Sequence, residues 1–307
     1  MTAKKMSIFI TGAGGMIGRN LLPHLLGLGY QVTVLKHHQQ IDYKQIQVVE
    51  GDIRCFNPLW IKNCDIVIHL AAATVPPCWK KNGFGSADRV ARFSPEDSFN
   101  SVNSLNSVNI DGTRSLITAI NSQQHKVRLI YTSSIAALGP SSNYSGPITD
   151  YGFSKLIGEK ISREVNDHVI VRLPMVIAPN DRVTPRFKKL SALRCIPITN
   201  SKFSAVDVSD VLKFIALIIS DDSYDGRTFM LGDGEEYSWK SVAKFYQEKY
   251  KHRIFTPRIP KILLQPFIFS LFGNADISYY LKYDWFHPPE YPTVLDPLKR
   301  VFTYDYN

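Results

Sequence analysis

The chain has 307 residues, 44% apolar and 21% charged, which excludes wholesale disorder and allows a sizeable core without staples. Lys and Arg outnumber Asp and Glu by 36 to 27, a formal charge of +9. The excess forms no long basic run interleaved with aromatics, so no nucleic-acid partner is expected.

Met1 to Lys5 lead straight into an apolar strand, Ser7 to Thr11, without the apolar core or cleavage site of a signal peptide. Thr11-Gly12-Ala13-Gly14-Gly15-Met16-Ile17-Gly18 follows. Gly12 permits a tight turn, and Gly15 removes a side chain where a pyrophosphate must approach the backbone. Gly18 lets the next helix pack closely on the strand. Met16 and Ile17 open that helix, whose free N–H groups and positive dipole end face the phosphates. It runs to Leu28, with Ile17, Leu21, Leu25 and Leu28 on one face, and Gly29 stops it. Gln31 to Leu35 is a second strand. Lys36, His37 and His38 stand at its end, where an NAD enzyme usually places an acid for the ribose 2′-hydroxyl. Donors there accept a 2′-phosphate, so NADP is favoured over NAD. After a third strand, Gln47 to Glu50, Asp52 beside Ile53 is either an adenine contact or a turn aspartate.

Asp65 to Leu70 is near-continuously apolar, as a buried parallel strand is. Thr74 to Asn106 is rich in Pro, Gly, Ser and Asn and reads as an active-site flap or an insertion. A helix is expected over Ser107 to Ser122 and a strand over Arg128 to Thr132. Hydroxyls at the carboxyl end of such a strand, Ser134 among them, point into a ligand crevice. Tyr151 to Val165 is a helix carrying Tyr151 and Lys155 at i and i+4, on one face. A phenol of ordinary pKa, about 10, is a poor base at neutral pH, and a nearby ammonium lowers it. Val169 to Leu173 is a further strand.

This alternation predicts an α/β protein with a Rossmann-type doubly wound parallel sheet over residues 1–173 and return segments near 203–216. Residues 174–307 are read as mainly a smaller C-terminal substrate-binding lobe. There, Arg182, Arg186, Lys188 and Lys189 are a solvated face or a diphosphate contact. The apolar stretch Ile259 to Phe272 is a core helix, a pocket wall or a membrane-surface element. No run reaches membrane-spanning length, which leaves only peripheral contact open. Cys55, Cys64, Cys78 and Cys195 show no zinc spacing and read as free thiols, so no metal is expected and the location is read as cytoplasmic.

Several strings in this order resemble the extended short-chain dehydrogenase/reductases, the epimerase/dehydratase group. They are Thr11 to Gly18, Gly51-Asp52-Ile53, His69-Leu70-Ala71-Ala72-Ala73 and Asn109 to Thr113. Then come Thr132-Ser133-Ser134, Tyr151 to Lys155 with Glu159, and Arg172-Leu-Pro174-Met-Val176. The resemblance implies a triad of Ser134, Tyr151 and Lys155, supported by Asn109. It implies that Leu70, Ala71 and Ala72 line the cofactor, that Pro174 and Val176 border the nicotinamide, and that the protein is a homodimer. Lys36 departs from the Asp of NAD-using members, and Ile135-Ala136-Ala137 lacks the acids of the dehydratases. The expected function is an NAD(P)-dependent oxidoreductase acting on a small-molecule ketone or alcohol, with Tyr151 as acid/base. A nucleotide-sugar 4-epimerase or 4-reductase and a non-catalytic NADP-binding scaffold are the alternatives.

Overall fold

A computed structural model describes residues 6–41, 43–74, 105–141, 145–179, 181, 184–196, 198–258 and 283–292. The first apolar run is strand β1 (Ser7–Thr11), and helix α1 (Met16–Gly27) returns across the sheet to β2 (Gln31–Lys36) and β3 (Ile46–Glu50). The chain then crosses to β4 (Ile66–His69) on the other side of β1. Helix α2 (Gly112–Asn121) leads to β5 (Arg128–Ser134), and α3 (Asp150–Ser162) leads to β6 (His168–Leu173).

Beyond β6 the pieces are shorter: β7 (Met175–Ile177), α4 (Thr184–Ala192), β8 (Lys202–Phe203) and β9 (Ala205–Asp207). Next come α5 (Val208–Ser220), β10 (Thr228–Gly232), β11 (Tyr237–Ser238), α6 (Trp239–Tyr250) and β12 (Tyr291–Pro292). The main sheet has the order β12-β10-β6-β5-β4-β1-β2-β3, with every neighbouring pair parallel. The doubly wound parallel sheet is therefore as expected, and β10 and the two-residue β12 extend it.

Alternation along the strands sorts the core into two faces. Ile8 and Ile10 of β1 join Leu21, Leu22 and Leu25 of α1 and Val211, Phe214 and Ile218 of α5. Phe9, between them, faces Val67, Leu129 and Ile170 with Leu116 and Ile120 of α2 and Ile161 of α3. A third cluster sits past the carboxyl end of β5. It joins Ile135 and Ala136 to Phe203, Met230, Trp239, Tyr246 and Trp285. That cluster draws on five separate chain segments, which is why periodicity weakens after Pro174.

The bounds differ from expectation in two instructive places. The strand expected to end at Thr132 continues to Ser134, with all seven residues buried. The helix expected from Ser107 begins with a π-helical turn over Ser107–Asp111, closed by Gly112 N–H donating to Ser107 O. The wider turn leaves the Asn109 carbonyl to the Thr113 hydroxyl, which donates to it at 2.7 Å. Thr74 to Asn106 lies mostly outside the described residues. So do Ile259 to Phe272, Cys78, Arg182 and the Arg186 side chain.

Helix α3 lies unusually close to β5. A Cβ at Gly158 would sit 2.1 Å from the Tyr131 hydroxyl. Gly158→Ala is expected to cost about 1–3 kcal/mol and lower Tm by several degrees. Adding Tyr131→Phe, which removes the hydroxyl but leaves the ring carbon 2.8 Å from the new Cβ, should restore part of the loss. A Gly158→Ala protein as stable as wild type would contradict this packing.

Candidate active site

The turn after β1 is bare and close-packed. Gly12 has φ +74°, and a Cβ there would lie 2.5 Å from Ala71 N, so only glycine fits against the strand-end backbone. Gly15 N–H donates to Gly12 O at 2.9 Å. Gly15 is the N-cap of α1, and no side chain caps the helix, so no side chain claims its first amides. A Cβ at Gly18 would lie 2.5 Å from Ala13, as expected of a helix pressed onto its own turn. Such a cradle of bare backbone N–H groups at a helix start fits a dinucleotide pyrophosphate.

At the end of β2 the side chains have partners that the sequence did not reveal. Lys36 and Glu50 face each other across β2 and β3, and Lys36 Nζ donates to Glu50 Oε1 at 2.7 Å. Lys36 holds the Glu50 carboxyl below its ordinary range. The His37 and His38 rings are 3.5 Å apart. Asp52 accepts from Arg54 N at 2.9 Å and from Arg54 Nε at 3.0 Å. The Arg54 guanidinium holds the Asp52 carboxyl down at about 2, and His37 Nε2 stands 3.5 Å away. Ile53 is buried beneath Gly112, where a Cβ would meet its Cγ2 at 2.7 Å.

The carboxyl end of the sheet holds a layer of buried polar groups, each with a partner. His69 is fully enclosed, with Nδ1 at 2.6 Å from Thr11 Oγ1 and Nε2 at 3.0 Å from Thr113 Oγ1. The Thr113 hydroxyl spends its proton on the Asn109 carbonyl, so His69 Nε2–H must be the donor there. Nδ1 then accepts from Thr11, whose oxygen in turn accepts from Ala71 N–H at 3.3 Å. One neutral histidine thus joins β1, β4 and α2. Burial first, then the Lys155 charge, pushes its pKa down to about 3.

Asn109 is held at both ends of its amide. Oδ1 accepts from Ala73 N–H at 2.7 Å, while Nδ2 donates to Ala73 O and to Ser154 Oγ, each at 2.9 Å. Ser154 Oγ donates to the Tyr151 carbonyl at 2.8 Å. The chain after β4 is thereby tied to the first turn of α3, which carries Tyr151.

Lys155 is only 4% exposed. Its Nζ donates to Thr132 O at 2.8 Å and lies 5.0 Å from the Tyr131 ring centre. Burial lowers its pKa to about 8, against the pull of Glu159 one turn on. Burial also pushes the Tyr131 phenol up. Glu159 is wholly buried and accepts from Ser133 Oγ at 2.6 Å, Arg172 Nε at 2.9 Å and Arg172 Nη2 at 2.8 Å. Its hydrogen bonds hold the Arg172 guanidinium firmly protonated. This buried pair clamps β5, β6 and α3 together directly behind Lys155.

Ser134 ends β5 and is nearly buried, and its Oγ accepts from Ala136 N–H at 3.2 Å. A Cβ at Gly152 would stand 2.2 Å from Ala136 O, so the first turn of α3 is pressed against the turn that follows Ser134. That contact brings the Tyr151 and Ser134 segments together. Leu70, Ala71 and Ala72 are half-buried, the first two beside Gly12. Pro174 is buried, and Val176 pairs with Val206 just past β6. Sequence reasoning assigned no role to His69, Glu159 or Arg172. Their signal was a charged or imidazole residue at the inner end of an apolar strand or helix face, where only a partnered group is tolerated.

Residues 8–83 and 88–232 match the family described as the NAD dependent epimerase/dehydratase family. The chain belongs to that family. It is thus an enzyme of the nicotinamide-dependent epimerase/dehydratase class. It is similar to a 2-alkyl-3-oxoalkanoate reductase of Shewanella oneidensis, 24% identical over 86% of this chain and 71% of the relative. A ceramide reductase of Caulobacter vibrioides is 28% identical over 60% of this chain and 51% of its own. Among solved structures, UDP-glucuronic acid 4-epimerase from Bacillus cereus, in complex with UDP-glucuronic acid and NAD, has TM-score 0.69 and 20% identity over 98% of both chains. Bordetella bronchiseptica WbmG in complex with NAD has TM-score 0.70 and 18% identity over 99% of this chain and 94% of that one. These two likenesses carry the fold. Among the described residues no helix is long and apolar enough to cross a membrane, and no cluster of His, Cys, Asp and Glu is set to hold a metal.

His69 binds no proton in the folded enzyme until about pH 3, whereas its unfolded value is 6.5, so the unfolded chain takes up more protons between them. Stability therefore falls as pH drops through this window. Between about pH 7.5 and pH 5 the His69 share of the loss is about 2 kcal/mol. Urea unfolding of wild type and His69→Gln at both pH values checks this, since the variant should lose that much less on acidification.

Proposed function

We propose that this family member reduces a carbonyl, or oxidises the matching carbinol, with Tyr151 as the acid/base, Lys155 as its electrostatic partner and Ser134 as the substrate-positioning hydroxyl. The observation that carries the reading is Lys155, an ammonium buried one helical turn from Tyr151 and aimed by the Thr132 carbonyl. A buried ammonium stabilises a phenolate far better than a solvated one. In the reducing direction the Tyr151 hydroxyl gives its proton to the carbonyl oxygen while Ser134 holds that oxygen. A nicotinamide cofactor held there would supply the hydride. Asn109 keeps the Tyr151 turn in register through Ser154. Gly12, Gly15, Met16, Ile17 and Gly18 hold the pyrophosphate, with Asp52 and Ile53 beside the adenine. Leu70, Ala71, Ala72, Pro174 and Val176 wall the nicotinamide side.

NADP is the preferred cofactor in this reading, because Lys36 stands where an acid would repel a 2′-phosphate. Its bond to Glu50 is an exposed pair, weak enough for a phosphate dianion to displace. The cluster around Phe203, Trp239 and Trp285 forms the substrate side, and a ketone or alcohol substrate suits the apolar turn Ile135–Ala137. A nucleotide-sugar 4-epimerase or 4-reductase is the second reading, favoured by the near-full-length likeness to the UDP-glucuronic acid epimerase fold. The exposed faces of α2 and α3, bridged by Arg114 and Glu164 and bearing Phe153, are proposed as a homodimer seam.

Tyr151→Phe should retain nicotinamide-cofactor binding and lose about 10²–10⁴-fold in turnover. Undiminished turnover would remove Tyr151 from the chemistry. Lys36→Asp should shift the NADP-to-NAD affinity ratio toward NAD by tenfold or more, about 1.4 kcal/mol. An unchanged ratio would show that Lys36 is not the selector.

A further inference from the structure

We infer that the surface formed by the C-terminal ends of α4 and α6 docks on an anionic lipid bilayer. The inference is independent of the catalytic reading and uses residues remote from the triad in sequence.

The two helix ends are stitched into one surface. His252 Nε2–H donates to Ser191 O at 3.1 Å, and Phe255 N–H donates to Arg194 O at 2.8 Å. Ile196 N–H returns a bond to Phe255 O at 2.9 Å. Segments 191–196 and 252–255 therefore run side by side. Lys188, Lys189, Arg194, Lys249, Lys251, Arg253 and Arg258 are all exposed on these segments and their helices.

No acid lies between Asp181 and Asp207, nor between Glu248 and Asp276. Glu248, the one acid of α6, is turned to Lys244 at 3.7 Å. The crowding of cations is also felt locally, for burial and then the Lys188 charge both lower the Lys249 pKa. On the same two segments two large apolar side chains are exposed, Leu193 at 68% and Phe255 at 70%. Cations ringing exposed aliphatic and aromatic groups are the composition of an interfacial membrane contact.

Backbone geometry adds a separate observation. Among the described residues, Arg194 at φ +56° and Lys251 at φ +51° are the two non-glycine residues in the left-handed region. Each follows a helix end, where glycine would relieve the strain. Cations there gain from the helix dipole, but that gain is comparable to the strain, so helix stability alone does not select them.

The charge chooses among partners. A second copy of this chain would bring the same positive field and be repelled. Nucleic acid would meet the cations but leave Leu193 without a counterpart. An anionic bilayer answers both, each cation near the leaflet adding about fivefold to partitioning.

The test is co-sedimentation of the full chain with phosphatidylcholine vesicles, pure or carrying about 30% phosphatidylglycerol, at low and high salt. Wild type should bind the anionic vesicles at least tenfold better than the neutral ones and release in high salt. Leu193→Ser with Phe255→Ser, and separately Lys188→Glu with Lys189→Glu, should each lower binding tenfold or more while the melting temperature is unchanged. Failure of wild type to bind would overturn the inference, as would wild-type binding by both variants. It would equally fail if the variants altered only the oligomeric state or the retention of a DNA duplex.

Discussion

A lysine ammonium taken almost wholly out of water is the constraint on which the rest of this structure depends. Lys155 needs an acceptor, and the Thr132 carbonyl at the end of β5 provides it. To reach it, α3 must lie directly on β5, and the helix sequence is cut to allow this. Gly152 clears Ala136 and Gly158 clears the Tyr131 hydroxyl. Glu159, one turn beyond Lys155, supplies negative charge from behind, and Arg172 and Ser133 compensate for its own burial.

The same logic runs along the whole carboxyl edge of the sheet. Parallel strands end there in hydroxyls, an imidazole and an amide that are buried and hydrogen-bond one another. Thr11, His69, Thr113 and Asn109 form one directed chain, and Asn109, Ser154 and Tyr151 continue it by side-chain and carbonyl bonds. A network in which every donor has one acceptor has one arrangement. The dinucleotide cradle at Gly12 and the first turn of α3 are thus set relative to each other by polar contacts, with the apolar clusters giving bulk stability on either face.

Local signals made much of this legible. Gly12, Gly15 and Gly18 could be read because a tight turn and a close helix demand them within eight residues. Tyr151 and Lys155 could be paired because helical spacing puts i and i+4 on one face. The strand–helix alternation, and with it the parallel sheet, followed from short apolar runs. Contacts that join distant segments were not legible. Lys36 read as a free donor, but its partner Glu50 lies on the neighbouring strand, and only register brings them together. His69 passed as part of a string, because its role depends on Thr11 and Thr113, 58 and 44 residues away. The π-helical turn at Ser107–Asp111 was read as ordinary helix, since nothing local distinguishes the two. The third cluster, assembled from segments between Ile135 and Trp285, has no periodicity of its own.

Lys155 is a buried, carbonyl-held ammonium whose ionisation lies within reach of physiological pH. Titration of ¹³C-labelled lysine side chains by NMR reads this directly, with Lys155→Met to assign the resonance. One signal should titrate near pH 8, well below ordinary lysines, and vanish in the variant. If every lysine titrates together near the ordinary value, about 10.4, Lys155 is solvated and is not the buried electrostatic partner of Tyr151.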